Sequence, residues 1–324
     1  MLDWEAFYNA SQQAVAAFYN LLQNYLDIAY LEWLAWVFWP LLVTFILPVS
    51  MLLFIYASAF FLHLYRLRHT LRDAVQRDHW DGARNVLAAI WDAQGRIWHG
   101  YEVFNFDKIP EEGGAVLVYY HGALPIDMYY LMAHCILHKR RNIRPIGDRF
   151  LFRVPGFKLL MEVMGVIPGS RSSCNKLLQE GNILSIAPGG VREAQFGDSN
   201  YQLMWNARQG FAKIAIDSKV PIIPVFTQNV REAFRSLSLG QSFFRYIYEK
   251  YRLPCVPIYG MFPVKLRTFI GDPIPYDPTL DSEQLTQKAH QAIERLIEKH
   301  QKIPGNILQA LFERLYTPAH CKQE

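Results

Sequence analysis

The sequence predicts an α/β protein with a mixed, partly parallel sheet flanked by helices, preceded by an N-terminal transmembrane helical segment. From residue 100 onward, short apolar runs alternate with helical stretches, a pattern typical of α/β sheets with parallel strands. No charged residue occurs from Trp33 to Leu62, a run longer than the roughly 20 residues that a helix needs to cross a bilayer. These two observations set the fold class.

The composition also favours a membrane protein. Hydrophobic residues make up 51% of the chain and charged residues 19%, below the roughly 25% of ordinary soluble domains. The net charge is +4, and no basic block interleaved with aromatic residues suggests a nucleic-acid interface, so we expect no nucleic-acid partner. The four cysteines are scattered without a C-x-x-C pair, which favours reduced thiols on the cytosolic side.

The N-terminal part predicts membrane anchoring without a cleaved signal peptide. Residues 1–30 contain acidic residues but neither lysine nor arginine, so a basic signal-peptide start is missing. Pro40 and Pro48 interrupt the apolar run, and both a tilted single span and a re-entrant hairpin fit its length. The positive-inside rule places the remainder in the cytosol, because four arginines follow the run: Arg66, Arg68, Arg72 and Arg77.

Four regions are predicted along the chain. Residues 1–32 form an acidic and aromatic segment, 33–65 a transmembrane segment, 66–98 a membrane-proximal helical region and 99–320 one globular domain. The third region fits a helix on the membrane and an ordinary packing helix equally well. Its partial apolar stripe comprises Val75, Ala83, Val86, Leu87, Ile90 and Trp91.

The globular domain contains four predicted strands and five predicted helices. The strands are Ala115–Tyr120, Ile183–Ala187, Val220–Phe226 and Leu266–Ile270. The helices cover 126–138, 173–180, 203–217, 282–301 and a short apolar stretch after Gly305.

The end of the first of these strands carries a candidate base. The strand stops at His121-Gly122, and Pro125 suits the first turn of the helix that follows. A strand-to-helix loop presents its residues at the sheet edge. There an imidazole and a carboxylate six residues apart can meet, the carboxylate fixing the tautomer while the other ring nitrogen accepts a proton. We predict His121 as the base and Asp127 as its partner.

Three later stretches add candidate binding residues, although each also fits a plain turn or edge strand. Arg171 ends a turn and offers a planar fork of donors for a phosphate or carbonyl oxygen. Paired glycines at 189 and 190 let backbone N–H groups approach a ligand. The full predicted set is Gly122, Arg171, Pro188, Gly189, Gly190, Arg192, Glu193 and Pro221.

Other chemistries find little support in the sequence. His134 and His138 lie one helical turn apart, but the sequence places no third ligand, so no metal site is predicted. A G-x-S-x-G elbow, a phosphate-binding P-loop and a dinucleotide fingerprint are all missing from the sequence, which disfavours esterase, nucleotide hydrolase and redox activities.

The order of these motifs resembles the four blocks of the glycerolipid acyltransferase superfamily, over roughly residues 98–300. Three stretches resemble sequences of the diacylglycerol acyltransferase-like branch of this superfamily, whose members are membrane-bound in the endoplasmic reticulum. The stretches are YYHGALPIDMYY, PGGVREA and VPIIPVFTQNVREAFRSL. Two departures are visible. Five residues separate His121 from Asp127 where the common motif has four, and Pro188-Gly189-Gly190 replaces the usual Pro-Glu-Gly, with a carboxylate reappearing at Glu193.

The resemblance implies an enzyme with acyl-CoA as co-substrate, no other cofactor, and a lipid acceptor at the bilayer. His121 would deprotonate the acceptor hydroxyl, which then attacks the thioester of acyl-CoA. Diacylglycerol is the expected acceptor and triacylglycerol the product, in the endoplasmic reticulum membrane with the catalytic domain facing the cytosol. Alternative acceptors are a monoacylglycerol, a lysophospholipid or a long-chain alcohol, and a non-catalytic lipid-binding or scaffold protein on the same fold is also open. Protein partners are not implied.

A basic run after the first helix of the globular domain could attract CoA phosphates or anionic headgroups, although a solvated face also explains it. The run consists of Lys139, Arg140, Arg141, Arg144, Arg149, Arg153 and Lys158.

Overall fold

The computed structural model describes residues 28–69, 80–252 and 254–315, together with Asn9, residues 12–18 and Asn20. The chain divides into two compact units, Met1–Leu47 and Pro48–Glu324. Most of the predicted segment 1–32, and Arg72, Val75 and Arg77, lie outside the described residues.

One long helix, α1 (Ile28–His69), agrees with the single span among the two alternatives that the prolines left open. The helix continues through Pro40 and Pro48 without a break, so a single helix forms and a hairpin does not. Its stretch Trp33–Tyr65 has a mean hydropathy of 2.3 and is long and apolar enough to cross a membrane, and only 6% of its most apolar part is buried in the protein. This helix indicates membrane association.

A seven-stranded sheet forms the centre of the second unit, in the order β1-β9-β6-β2-β5-β3-β4. All neighbouring pairs are parallel except β6 with β9, which confirms the predicted mixed, partly parallel sheet. A separate antiparallel pair joins β7 to β8. The strands are β1 (Glu102–Phe104), β2 (Ala115–Tyr119), β3 (Ile143–Gly147), β4 (Ile167–Pro168), β5 (Ile183–Ile186), β6 (Ile222–Gln228), β7 (Phe234–Ser236), β8 (Ile258–Gly260) and β9 (Arg267–Ile270).

Helices cover both faces of the sheet, with two short 3₁₀ turns at Phe106–Lys108 and Leu151–Arg153. After α1 they are α2 (Asp81–His99), α3 (Ile126–Lys139), α4 (Phe157–Val163), α5 (Arg171–Gln179), α6 (Gly190–Phe196), α7 (Gly210–Ser218), α8 (Val230–Ala233), α9 (Gln241–Tyr251), α10 (Ser282–His300) and α11 (Ile307–Phe312).

The predicted helix 203–217 begins only at Gly210, and the structure shows why. The N–H of Met204 donates to the carboxylate of Glu193 at 2.9 Å, and Asn206 has a left-handed backbone with φ of 50°. The first of these would also be compatible with a helix start, since the first N–H groups of a helix lack backbone partners, but the left-handed backbone of Asn206 is incompatible with a continuous helix.

Part of the apolar stripe predicted on α2 is buried in the structure and part of it is exposed. Ala83, Leu87 and Trp91 are buried, and Trp91 contacts Phe54 of α1 at a ring-centroid distance of 4.8 Å. Val86 and Ile90 are 45% and 41% exposed, because the buried face follows the i, i+4 positions and these two lie beside it.

Strand β2 lies in the middle of the sheet and is buried along its whole length. Ala115, Leu117 and Tyr119 face one hydrophobic core, and Val116 and Val118 face the other. Because β2, β5 and β6 are parallel neighbours, the residues that follow their carboxyl ends meet at one edge of the sheet.

Candidate active site

His121 follows the carboxyl end of β2, and hydrogen bonds of its backbone N–H and of its ring fix its position. Its N–H donates to Glu193 Oε2 at 2.9 Å, and its Nδ1 lies 2.6 Å from the carbonyl oxygen of Gly122. A carbonyl oxygen can only accept, so Nδ1 carries the hydrogen and Nε2 carries the lone pair. The half-buried imidazole therefore has the tautomer of a general base.

The surroundings keep this imidazole neutral. The pKa of His121 is lowered from 6.5 to about 4, mainly by burial; the hydrogen bond to Gly122 opposes this shift and the positive charge of Arg231 adds to it. At neutral pH the ring is thus unprotonated and able to accept a proton.

Asp127 is the predicted hydrogen-bond partner that sets the tautomer of His121. In the structure the carbonyl oxygen of Gly122 makes this contact instead. Asp127 lies in the first turn of α3, only 3% exposed, and its Oδ1 has no hydrogen-bond partner among the described residues. Burial raises the pKa of Asp127 to about 6, opposed by hydrogen bonds from Thr227 and the N–H of Met128. The extra residue between His121 and Asp127 accompanies this change of partner, and a catalytic role for Asp127 stays a prediction.

The predicted glycine loop lies beside His121, because it follows β5, the parallel neighbour of β2. A Cβ on Gly189 would come within 2.4 Å of the Glu193 carboxyl carbon, so only glycine fits there. The guanidinium of Arg208 donates to the carbonyls of Pro188 and Gly189 at 2.8 and 2.9 Å. The loop is thereby fixed close to the imidazole.

Glu193 supports this region through hydrogen bonds to backbone N–H groups, and a direct role in substrate binding stays a prediction. It is fully buried, and its two oxygens accept the N–H groups of His121 and Met204, each at 2.9 Å. Burial raises the pKa of Glu193 to about 7. Its carboxylate connects the end of β2 to the loop before α7.

Arg231, which sequence analysis did not single out, is the buried cation behind the site. It is 2% exposed and donates to the carbonyls of His121, Glu193, Ala194 and Gly197 and to the hydroxyl of Tyr120. The only sequence signal was its position just after β6, whose end reaches the same sheet edge. The guanidinium joins the ends of β2, α6 and β6 into one framework.

Comparisons with known proteins agree with this architecture. A family model described as Acyltransferase matches residues 101–228. A Bos taurus protein described as "DGAT1/2-independent enzyme synthesizing storage lipids" is 49% identical over 321 residues, which are 97% of this chain and 96% of that protein. A Homo sapiens protein of the same description is 50% identical over 295 residues, 91% of this chain and 90% of that protein. The chain belongs to the glycerolipid acyltransferase family.

A solved structure is also similar to this acyltransferase. It is the crystal structure of the 1-acyl-sn-glycerophosphate acyltransferase PlsC from Thermotoga maritima, with a TM-score of 0.47 and 16% identity, covering 76% of this chain and 95% of that one. Family membership implies an acyl donor and a lipid acceptor as substrates.

Two predicted binding arginines of the acyltransferase are engaged with carboxylates. Arg171 starts α5 and forms two hydrogen bonds with Asp217, at 2.7 and 2.8 Å, with a side chain 63% exposed. This arginine lowers the pKa of Asp217 to about 2. Arg192 lies 3.8 Å from Glu249. Binding of a substrate phosphate by either arginine stays a prediction and requires exchange of these partners.

Pro221 lies near the amino-terminal ends of the parallel strands of the acyltransferase sheet, whereas His121 follows their carboxyl ends. It precedes β6, and its carbonyl accepts the N–H of Val116 at 3.0 Å, near the start of β2. His121 follows the opposite end of β2, about 15 Å along the strand. Because β6 runs parallel to β2, the structure does not bring Pro221 to His121, and binding of substrate by Pro221 stays a prediction.

Two members of the predicted basic run act as structural ties in the acyltransferase. Lys139 donates to the carbonyl of Ile109, and Arg141 donates to the carbonyls of Pro110, Gly113 and Gly181. These cations hold the loop that leads into β2, and attraction of CoA phosphates or lipid headgroups by the run stays a prediction.

Proposed function

We propose that this protein is a membrane-bound, acyl-CoA-dependent O-acyltransferase that converts diacylglycerol to triacylglycerol, with His121 as general base. The observation that carries the proposal is the neutral imidazole at the end of β2, whose Nδ1 faces Gly122 O and leaves Nε2 as the acceptor of a proton. The description of the relatives as enzymes synthesizing storage lipids supports a neutral lipid product.

The proposed reaction needs no covalent enzyme intermediate. Nε2 of His121 takes the proton of the acceptor hydroxyl, and the acceptor oxygen attacks the thioester carbonyl carbon of acyl-CoA. The new C–O bond forms and the C–S bond breaks, and the CoA thiolate leaves with the proton from the imidazolium. Positioning both substrates at the membrane surface contributes further to the rate.

Gly189 supports an uncharged acceptor. It occupies the place where the usual family block has a glutamate that binds a glycerol-phosphate acceptor, and a Cβ here would collide with Glu193. A side chain at this position cannot hold an acceptor, and the carboxylate that replaces it in sequence, Glu193, is buried. An uncharged acceptor with one free hydroxyl, such as diacylglycerol, needs no charged side chain from this loop for its binding.

We place the enzyme in the endoplasmic reticulum membrane with its catalytic domain facing the cytosol. The apolar stretch Trp33–Tyr65 supports a single membrane span. The arginines that follow it, from Arg66 onward, support a cytosolic position for the remainder under the positive-inside rule.

The direct test is acyl transfer in lipid vesicles that contain the purified full-length chain. With labelled oleoyl-CoA and diacylglycerol we expect labelled triacylglycerol, and weaker labelling when a monoacylglycerol, a lysophospholipid or a long-chain alcohol replaces diacylglycerol. Faster transfer to one of these acceptors would refute the acceptor assignment. Saturable acyl-CoA binding without any ester product would refute catalysis and favour the lipid-binding alternative.

The lowered pKa of His121 predicts an unusual acid limb of the pH profile. An ordinary imidazole of pKa about 6.5 would lower kcat/KM roughly fivefold between about pH 6.5 and 5.5, because its unprotonated fraction falls from about one half to about one eleventh. Because burial holds the pKa of His121 at about 4, we expect kcat/KM to change less than about twofold over that interval. Initial rates in vesicles across this range measure it.

The same shift has a defined sign for stability. The unfolded chain binds a proton at His121 near pH 6.5, whereas the folded protein binds it only near pH 4. Stability from this group is therefore complete above pH 6.5 and is lost as the pH falls toward 4.

A tenfold fall of kcat/KM centred on pH 6.5, with the thermal midpoint unchanged, would contradict the assignment of His121 as a general base of lowered pKa.

A further inference from the structure

Two histidines and a carboxylate converge between α2 and α3, away from His121. Asp92 projects from α2, and His134 and His138 project from α3, with one ligand atom from each lying within 4.8 Å of the others. Nδ1 of His134 is 3.6 Å from Asp92 Oδ1, and the two imidazole centroids are 4.2 Å apart. The third ligand, which the sequence pattern could not supply, comes from a helix that precedes the sheet.

We propose that Asp92, His134 and His138 form a binding site for one divalent transition-metal ion of the zinc type. Two imidazole nitrogens and one carboxylate oxygen are a common protein ligand set for zinc, with a fourth position left for water. Magnesium and calcium prefer oxygen ligands alone, so this donor set selects against them.

The frame around these ligands is rigid. A Cβ on Gly95 would lie only 3.0 Å from the Tyr130 ring, so α2 and α3 are in close contact. One turn away, Trp91 stacks on Tyr129 at a centroid distance of 5.1 Å. A tetrahedral zinc ion places its ligand atoms roughly 3.4 Å apart. The ligand atoms, which lie within 4.8 Å of one another, must therefore close by up to about 1.4 Å, and side-chain rotation at the exposed His138 can supply this.

A cavity of about 530 Å³ adjoins the cluster and leaves room for the fourth ligand. Its lining consists of Asp92, Arg96, Tyr101, Glu102, Val103, Phe104 and His134. The cluster is separate from the catalytic position, because α3 begins beside His121 and rises about 1.5 Å per residue. His134 and His138 therefore lie roughly 10 to 17 Å along the helix axis from Asp127.

Arg96 is the internal competitor for the metal. Its Nε lies 2.8 Å from Asp92 Oδ2, and its Nη2 lies 3.5 Å from Nε2 of His138. The side chain is 55% exposed, so it can turn into solvent when a cation enters. Since two cations repel at this distance, removal of the guanidinium must strengthen metal binding. A surface histidine pair without a metal role would not show this effect.

The test is zinc binding by the tag-free, full-length chain in detergent, stripped of metal with a chelator and then titrated with Zn²⁺. We expect one Zn²⁺ per chain, with affinity at least about tenfold weaker in His134→Ala and His138→Ala and at least about fivefold tighter in Arg96→Gln. Asp92→Asn, which keeps the shape of the side chain, should weaken binding while the thermal midpoint without metal is retained. Mg²⁺ should not compete.

Matched controls separate the site from adventitious binding. His290 is a helical surface histidine whose Nδ1 lies 3.1 Å from Glu294, so His290→Ala removes a comparable histidine-carboxylate pair. Cys255 is an exposed thiol, and Cys255→Ser removes it. Both variants should bind one Zn²⁺ with unchanged affinity. Failure of the unaltered chain to bind Zn²⁺, equal weakening by His290→Ala, or weaker binding in Arg96→Gln would each overturn the proposal.

Discussion

Replacement of His121 by alanine is expected to lower kcat by about 10²- to 10⁴-fold, because a positioned general base contributes that much to a proton-transfer step. Triacylglycerol formation from labelled oleoyl-CoA, measured in vesicles at saturating diacylglycerol, gives the result. KM for acyl-CoA should change little, since the imidazole acts on the acceptor proton.

The variant should fold, which makes the loss interpretable. The contact from His121 to Glu193 uses the backbone N–H, which alanine retains, so only the half-buried ring is removed. His290→Ala serves as the matched histidine control, with full activity expected because His290 lies on α10 and pairs with Glu294. Activity in His121→Ala within about threefold of the unaltered chain would exclude general-base catalysis by this residue.

Much of this fold was predictable from local patterns alone. The predicted strands Ala115–Tyr120 and Ile183–Ala187 form β2 and β5 almost to the residue, because a strand buried on both faces reads as a continuous apolar run. The predicted helix 282–301 likewise forms α10 within one residue of its end. Two- and three-residue strands such as β4 and β7 carry too little pattern to be recognised.

The site was predictable where chemistry follows a strand end and not where it depends on distant pairing. His121 and the loop at Gly189 could be placed together because parallel strands end at one edge. Nothing local distinguishes Glu193 as buried, because its partners His121 and Met204 are set by how β2 and the segment before α7 are positioned. Burial of a charge becomes apparent only when the partners that compensate it are known.

Substitution of Arg231 is expected to have the second large effect, on both the stability and the activity of the protein. Arg231→Met should lower the free energy of unfolding by about 3–5 kcal/mol, because several buried carbonyl oxygens lose a charged donor and each such loss costs about 1–3 kcal/mol. Four backbone carbonyls and the Tyr120 hydroxyl lose their donor, and the buried Glu193 loses a nearby positive charge that lowers its pKa. Chemical and thermal unfolding in detergent measure the change.

Two companion variants identify the cause. Arg171→Met removes an exposed arginine that makes two hydrogen bonds to Asp217, and its cost in stability should be small beside that of Arg231→Met, as for other exposed pairs. The double variant Arg231→Met, Glu193→Gln should lose less stability than the sum of the two single losses, because the charge that Arg231 compensates is then absent. A network that only fills space predicts additive losses instead.

Activity separates positioning from mere folding. Arg231→Lys keeps the charge but offers a single ammonium where the guanidinium reaches acceptors from β2, α6 and the loop after it. At a temperature where this variant is folded, we expect kcat to fall while KM for acyl-CoA holds, because the carbonyl of His121 loses its donor and the imidazole its alignment. Unchanged kcat in a folded Arg231→Lys would show that the framework stabilises the domain without positioning the base.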